Sequence, residues 1–400
     1  MSRLIITEME IKGIPCLVCG IQEDGKIVEL RPQKRGESSM LGNIYVGQVE
    51  NVSANIGAAF VLLTPGERAY LPLKNTEGRI CVSPTRSDRP IKPGDQILVQ
   101  VCRDAMKGKL AALSTGLDFT GKYLVLTTKQ RGISVSSKLS SKERERLRLC
   151  AEEFCKEDAG YGLILRTNAA QASMEELKRE LSFLQEKNER ACLHGASRTV
   201  FSCVHRSEPE YLAVVRDIRA DSLEEIVTDL PDVRERLSEY LEGSSDASKL
   251  RFYEDKLLPL AKLYSLESAF DTALREKIWL NSGGFLVIQQ TEAFVSIDVN
   301  SGKYTGKKKM EETYRKINLE AAAEIARQLR LRNLSGIILI DFINMENPDH
   351  QDELFHVLKK LVKKDPVLCN VVDITPLNIL EMTRKKVRRP LFEEISGMQE

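Results

Sequence analysis

Two short apolar runs late in the chain each lead into an acid. The first reads Ala293-Phe294-Val295-Ser296-Ile297-Asp298-Val299-Asn300 and the second Ile337-Ile338-Leu339-Ile340-Asp341-Phe342. Both are rich in β-branched residues and bounded by polar turns, which predicts buried strands. Between them Ile317, Ala321, Ile325 and Leu329 recur at i, i+4 spacing in a charged segment, the stripe of an amphipathic helix. Strand, helix and strand in that order predict a right-handed βαβ unit with both strands parallel. Asp298 and Asp341 then meet at the carboxyl edge of one sheet. Asn300, two residues beyond Asp298, projects from the same face if the strand persists.

The same reading divides the rest of the chain. Residues 1–36 alternate as strands around turns, the clearest at Glu23-Asp24-Gly25, and are too few to fold without partners. Residues 37–120 turn all-β, with strands predicted at 44–49, 58–63, 69–73 and 97–101 between Gly and Pro punctuation, the pattern of a small barrel of OB type. The order Gly47-x-Val49, Gly57-Ala58-Ala59-Phe60-Val61, Gly94-Asp95 and Leu113-Ser114 resembles the S1-type RNA-binding domain. That resemblance implies RNA contacts at Phe60, Tyr70 and Lys109, where aromatics stack on bases and a cation follows the backbone. Ordinary barrel core and a solvated turn are the alternative for these residues.

Residues 121–205 return to mixed structure, with strands at 123–126 and 163–165 and helices from about Ser141 and near Ser173. Glu176, three residues after Ser173, completes a capping box. Arg166-Thr167 at a strand end offers a planar fork and a hydroxyl, which suit a terminal phosphate. Residues 206–275 read as mostly helical, and residues 1–36 are expected to pair with them in one discontinuous domain.

Composition narrows the class. Hydrophobic content of 42% with 29% charged residues is that of a globular protein with a large core. A net charge of +1 supplies no global attraction for nucleic acid, so such a site must be a local patch. No apolar run approaches the roughly 20 residues of a membrane span. The N-terminal residues also lack the pattern of a signal peptide, so a cytoplasmic protein is expected. Of the nine cysteines only Cys16 and Cys19 have close metal-like spacing, and with no second such pair they read as buried strand thiols. The four histidines are scattered and receive no role.

Two carboxylates and an amide oxygen suit a hard cation such as Mg²⁺, which is held by one or two carboxylates together with substrate phosphate oxygens. The same acids could equally cap turns or pair with nearby lysines. Cations gather in the same part of the chain: Lys307-Lys308-Lys309, Arg327, Arg330, Arg332 and the run from Arg384 to Arg389. A phosphodiester substrate would account for acids and cations together.

Longer motifs then fall in order: Ser282-Gly283-Gly284, Asp298-Val299-Asn300, Asn318-Leu319-Glu320-Ala321-Ala322, Glu324 to Arg332, Ile340-Asp341-Phe342-Ile343 and Glu381-Met382-Thr383-Arg384. Together they resemble the catalytic region of the ribonuclease E/G family across nearly the whole chain. The resemblance implies an α/β multi-subdomain fold. An S1-type OB barrel (37–120) is inserted in a ribonuclease H-like subdomain (1–36 with 206–275). A 5′-end sensor region (121–205) and a DNase I-like catalytic subdomain (276–400) complete it. It further implies cleavage of single-stranded RNA, preferring 5′-monophosphorylated substrates, in RNA processing and turnover. Asp298 and Asp341 resemble the magnesium ligands, with Mn²⁺ as the alternative ion. Asn300 resembles the supporting amide, and Arg166 with Thr167 the 5′-phosphate pocket.

The sequence departs from the family pattern in two places. Members carry paired cysteines beyond the Thr-Arg-Lys segment that share zinc between subunits; none stand there before Glu400, so zinc is not expected and any homodimer would lack that link. An acid usual near Asp341 is Asn344 here. A non-catalytic S1-type RNA binder is the alternative, against which the two strand-end acids argue. A deoxyribonuclease or other phosphodiesterase is a third reading, disfavoured by the barrel's likeness to RNA binders.

Overall fold

The computed structural model describes residues 2–36, 39–74, 76, 79–82, 89–105, 109–155, 160–219, 222–255, 257–302 and 310–398. The chain divides into two compact units, residues 1–37 with 222–400, and residues 38–221. The first unit opens with antiparallel strands β1 (Ser2–Ile11), β2 (Ile14–Glu23) and β3 (Lys26–Lys34). Asp24 and Gly25 link β2 to β3 with φ of 48° and 78°. Both values are positive, as a type I′ hairpin turn requires, and glycine enters that region without strain. Cys16 and Cys19 are both buried in β2 as expected, and Cys16 belongs to an apolar cluster with Val18, Leu30 and Leu266.

Residues 38–221 hold a closed barrel. Its strands are β4 (Ile44–Ser53), β5 (Ala58–Thr64), β6 (Glu67–Pro72), β7 (Gln96–Arg103) and β8 (Ala111–Ser114). They run in the order β4-β5-β6-β8-β7, and β7 returns to pair with β4, so that neither sheet edge is left open. Val49, Val61, Leu63, Val99 and Leu113 fill the interior.

A second sheet of this unit has strands β9 (Asp118–Thr120), β10 (Leu124–Thr127), β11 (Gly132–Val135) and β12 (Gly162–Leu165). It packs with helices α1 (Ser141–Phe154) and α2 (Met174–Ser197). Leu147, Leu177, Leu181 and Leu184 of these helices bury against Leu124, Leu126 and Leu163, and Ile44, Val46 and Leu98 of the barrel join the same cluster. The Ser173–Glu176 capping box forms as expected, with the Ser173 amide donating to Glu176 at 2.8 Å. Strand β13 (Cys203–His205) adds to β4, and α3 (Glu210–Asp217) follows.

The first unit resumes with β14 (Leu223–Thr228), α4 (Pro231–Leu241), β15 (Leu250–Phe252), α5 (Leu260–Leu263) and α6 (Leu266–Leu274). Strand β14 is a correction to the helical reading of this stretch. It pairs in parallel with β1 and with β15, giving the order β15-β14-β1-β2-β3.

The last sheet contains β16 (Lys277–Trp279), β17 (Phe285–Gln290) and β18 (Phe294–Asn300), then α7 (Met310–Leu331) and β19 (Gly336–Asp341). Helix α8 (Pro348–Val362), β20 (Cys369–Ile374), β21 (Ile379–Arg384) and α9 (Leu391–Gly397) complete it. The strand order is β16-β17-β18-β19-β21-β20, and β18–β19 is the parallel pair joined through α7. Ile317, Ala321, Ile325 and Leu329 are fully buried in the cluster that holds Val295, Ile297, Val299, Ile338 and Ile340. The residues between them, Phe294 and Asp298 on β18 and Ile337 and Asp341 on β19, are exposed. Strand alternation therefore gives this sheet one face against helices and one open face. No helix among the described residues is long and apolar enough to cross a membrane.

Candidate active site on an open sheet face

Register brings the two acids together. Asp298 and Asp341 are direct partners across the β18–β19 ladder, and both are exposed on the open face. The Asn300 side-chain amide donates to Oδ2 of Asp298 at 2.6 Å, which orients that carboxylate. Burial, and then the charge of Asp298, push the Asp341 carboxyl above its usual range. Two like charges on adjacent strands repel, so the pair favours a proton or a cation between its members. Among the described residues no group of three or more His, Cys, Asp or Glu is placed to hold a metal. The donor set at this face is two carboxylates and an amide.

A residue that pattern reading did not single out holds this arrangement from behind. Asn318 is fully buried on the apolar face of α7. Its amide donates to the Ile343 carbonyl at 2.7 Å, and its carbonyl accepts from the Ile343 amide at 3.1 Å. The chain just beyond Asp341 is thereby pinned to the helix. The available signal was an asparagine lying on the same stripe as Ala321, Ala322 and Ile325, where a polar group must find partners. Strand β19 ends at Asp341, so Asn344 lies in the loop that follows; it is exposed and accepts from Asn378 at 3.1 Å.

Arg327, Arg330, Arg332, Arg384 and Arg388 do not ring the acids as free charge, which corrects that part of the expectation from the sequence. Arg327 bonds Glu324 at 2.6 Å and the Ile27 carbonyl at 2.8 Å, and Arg330 pairs with Glu23 at 2.9 Å. Arg332 is buried on Gln328 and on the Arg275 carbonyl. Burial, with Arg327 nearby, pulls its pKa down to about 10. Arg384 is buried against Asp365 at 2.8 Å, and Arg388 reaches Glu29 at 3.4 Å. These arginines tie α7 and β21 into the fold because a buried guanidinium must be paired. Lys385 and Lys386 are exposed; Lys307, Lys308 and Lys309 lie outside the described residues.

In the barrel, Phe60 and Tyr70 are register partners on β5 and β6. Their half-buried rings meet edge to face at 6.4 Å, and the Arg68 guanidinium lies 5.5 Å from the Phe60 ring centre. Tyr70 also pairs with Ala112 of β8, and Lys109 is exposed just ahead of that strand.

Arg166 closes β12 and precedes a 3₁₀ turn, Thr167–Gln171. Its guanidinium donates to the Gly121 carbonyl at 2.6 Å and to Asp217 at 2.7 Å. Burial would raise the Asp217 pKa, but Arg166 and Arg216 win and hold it below the usual range. Thr167 shares a hydroxyl bond with Ser136 at 3.0 Å. The Gly121 turn is itself fixed by Glu180, whose carboxylate accepts the amides of Lys122, Tyr123 and Leu124 at 2.6–2.8 Å. A Cβ at residue 121 would lie 2.4 Å from that carboxyl carbon, so only glycine permits the approach.

These features define a mixed α/β protein with a closed barrel and, on a separate sheet, a paired-carboxylate site. A model of the ribonuclease E/G family matches residues 118–387. The chain is 32% identical to ribonuclease G of Haemophilus influenzae over 386 residues, covering 92% of this chain and 77% of that protein. Ribonuclease G of Escherichia coli K12 gives 32% over 393 residues with the same coverage. Ribonuclease E of a Nostoc species gives 32% over 366 residues, 88% of this chain and 52% of that protein. The chain belongs to the ribonuclease E/G family, and membership makes it an endoribonuclease.

Proposed function

We propose that this endoribonuclease hydrolyses single-stranded RNA at the Asp298–Asp341 site with a divalent ion, Mg²⁺ or alternatively Mn²⁺. The observation that carries the reading is the register pairing of the two acids, with Asn300 bonded to Asp298. The residues fit such an ion, because adjacent exposed carboxylates with an amide beside them form an oxygen donor set with no ion pair among the described residues. When bound, the ion would polarise a phosphate oxygen and lower the pKa of the attacking water. Asp298 and Asp341 would hold it, Asn300 would fix the rotamer of Asp298, and Asn318 would hold the chain after Asp341 in place.

The barrel would act as an S1-type RNA-binding domain, with Phe60 and Tyr70 stacking on bases and Lys109 following the backbone. Arg166 and Thr167 would receive a 5′-monophosphate, with Arg166 exchanging Asp217 for the phosphate. In this reading residues 37–120 are the RNA-binding barrel, 121–205 the 5′-end sensor, 1–36 with 206–275 a ribonuclease H-like scaffold, and 276–400 a DNase I-like catalytic subdomain. The enzyme would serve RNA processing and turnover in the cytoplasm.

Cleavage of matched RNA and DNA oligonucleotides, with and without Mg²⁺, tests the reading. RNA should be cut only with the ion and DNA not at all. Undiminished cutting of RNA under chelation would refute the metal assignment.

A further inference from the structure

The open face that carries the acids also carries the chain's single tryptophan. Trp279 of β16 pairs in register with Phe285 of β17, and Phe285 pairs with Asn300 of β18. One row across the sheet therefore reads Trp279–Phe285–Asn300. The next row reads Lys277–Val287–Asp298–Asp341. Ile278, Leu286 and Val299, which lie between these rows, are buried on the helix side, so both rows face the same open side. Strands are spaced about 5 Å apart, which puts Trp279 about 10 Å from Asn300.

The cluster has a specific chemistry. The two rings meet at 5.2 Å with a 60° tilt. The Lys277 ammonium lies 4.3 Å from the Trp279 ring centre and 3.6 Å from that of Phe285. An ammonium over π-faces is held by cation–π attraction. Yet Trp279 remains 64% exposed, an apolar side chain left largely in water. Nothing in the mechanism above uses it.

We infer that Trp279, with Phe285 and Lys277, is a nucleobase-stacking subsite for the RNA strand lying across the acid pair. This rests on the reading of Asp298 and Asp341 as the cleavage site. The cluster joins a π-face for a base to a cation for the adjoining phosphate, the pairing that single-strand binders use. It also lies in register with the acids, within reach of a few nucleotides. The carboxylates repel an approaching phosphate, and Lys277 is the cation on their own row. A second copy of the chain would instead favour the apolar end of the face at Phe294 and Ile337, which lies at the opposite end of β18 from Asn300.

Because the tryptophan is unique, its emission reports on this position alone. The 400-residue chain is titrated with a short oligouridylate, 2′-O-methylated to resist cleavage, while anisotropy of a labelled copy follows total binding. The indole emission should be quenched with the same midpoint as the anisotropy. Trp279→Ala should raise KM for single-stranded RNA about tenfold with kcat nearly unchanged, and Trp279→Phe should restore most of the loss. Binding with silent indole emission, or wild-type KM in Trp279→Ala, would overturn the subsite and leave the acid-pair reading standing. If the wild-type chain neither binds nor cuts RNA, both readings fall. An emission change on dilution without RNA would assign the surface to a second copy and also overturn the subsite.

Discussion

Asp298 and Asp341 stand side by side as register partners on parallel strands, both exposed on the face of the sheet opposite α7. A protein does not gain stability from that arrangement, since each carboxylate disfavours the charge of the other. The helix face of the same sheet is closed by α7, whose stripe is fully buried. The fold thus closes one side of the sheet with a helix and leaves a charged pair fixed on the other. Sites of this kind are where perturbed carboxyl groups are put to chemical use.

The first consequence is a separation of binding from cleavage. Asp298→Asn or Asp341→Asn removes one charge from the pair without touching the barrel. Cleavage should fall to background while RNA affinity in a filter or anisotropy assay stays near wild type. Near wild-type turnover at saturating RNA in either variant would show that the acids do not perform the reaction.

At the other unit, Arg166 is shared between the Gly121 carbonyl and Asp217. A phosphate offering two oxygens competes well for that fork, and the contact is worth roughly 1.5–3 kcal/mol. Arg166→Ala should therefore slow cleavage of 5′-monophosphorylated RNA by about tenfold or more and leave 5′-hydroxyl RNA almost unaffected. Equal slowing of the two substrates would mean that Arg166 only supports the turn.

How much of this was visible in the sequence depends on how local the signal is. The βαβ unit was fully legible, because two β-branched runs and a four-residue stripe encode strand and helix without help from distant chain. Strand β14 was not. Its six residues include Glu224 and Glu225, and what makes it a strand is parallel pairing with β1, more than two hundred residues earlier. The arginines of α7 and β21 were legible as charge but not as partners, since Glu23, Glu29 and Asp365 reach them only in the folded chain. Trp279 sits in a three-residue strand, too short to carry a period, so its place in the row of Asn300, beside the acid row, appears only from register.

Asn318 offers a test of positioning. Its two bonds to Ile343 help to link α7 to the chain after Asp341, where Glu311 of α7 also accepts from the Glu346 and Asn347 amides. Asn318→Leu keeps the volume and leaves an amide and a carbonyl unpaired, at about 1–3 kcal/mol for each. The variant should lose stability and also require more Mg²⁺ for half-maximal activity. An unchanged Mg²⁺ requirement in the folded fraction would reduce Asn318 to a structural role.

His205 sets a pH dependence of stability. Burial, and then the charge of Lys187, hold its pKa below the ordinary 6.5, and its ring packs edge to face on Phe119 at 5.6 Å. The unfolded chain takes up this proton at the ordinary value, while the folded chain resists it to lower pH. The stability tied to the neutral ring is therefore present above pH 6.5 and is lost as pH falls through the lower, folded value. Replacement by Phe should flatten denaturation midpoints across that acidic window. Parallel pH profiles for wild type and His205→Phe would remove His205 as the cause.

The buried pair at the end of β21 gives the sharpest stability test. Arg384 is only 3% exposed, yet it carries a full charge. It donates to Asp365 at 2.8 Å, to Asn333 at 2.9 Å and to the Leu334 carbonyl at 2.9 Å. Asp365→Ala strands the guanidinium without its counter-ion, which costs about 3–5 kcal/mol in comparable buried pairs. Replacing both partners, Asp365→Leu with Arg384→Met, removes the desolvated charges together and should recover most of that loss. Asn333 and Leu334 would then lack a donor, so the double variant should fall short of wild type while standing well above Asp365→Ala. Urea midpoints for wild type, Asp365→Leu, Arg384→Met and the double variant form the required cycle. Additive losses across the cycle would mean that the two residues act independently and that the pair is not what holds β21 in the sheet.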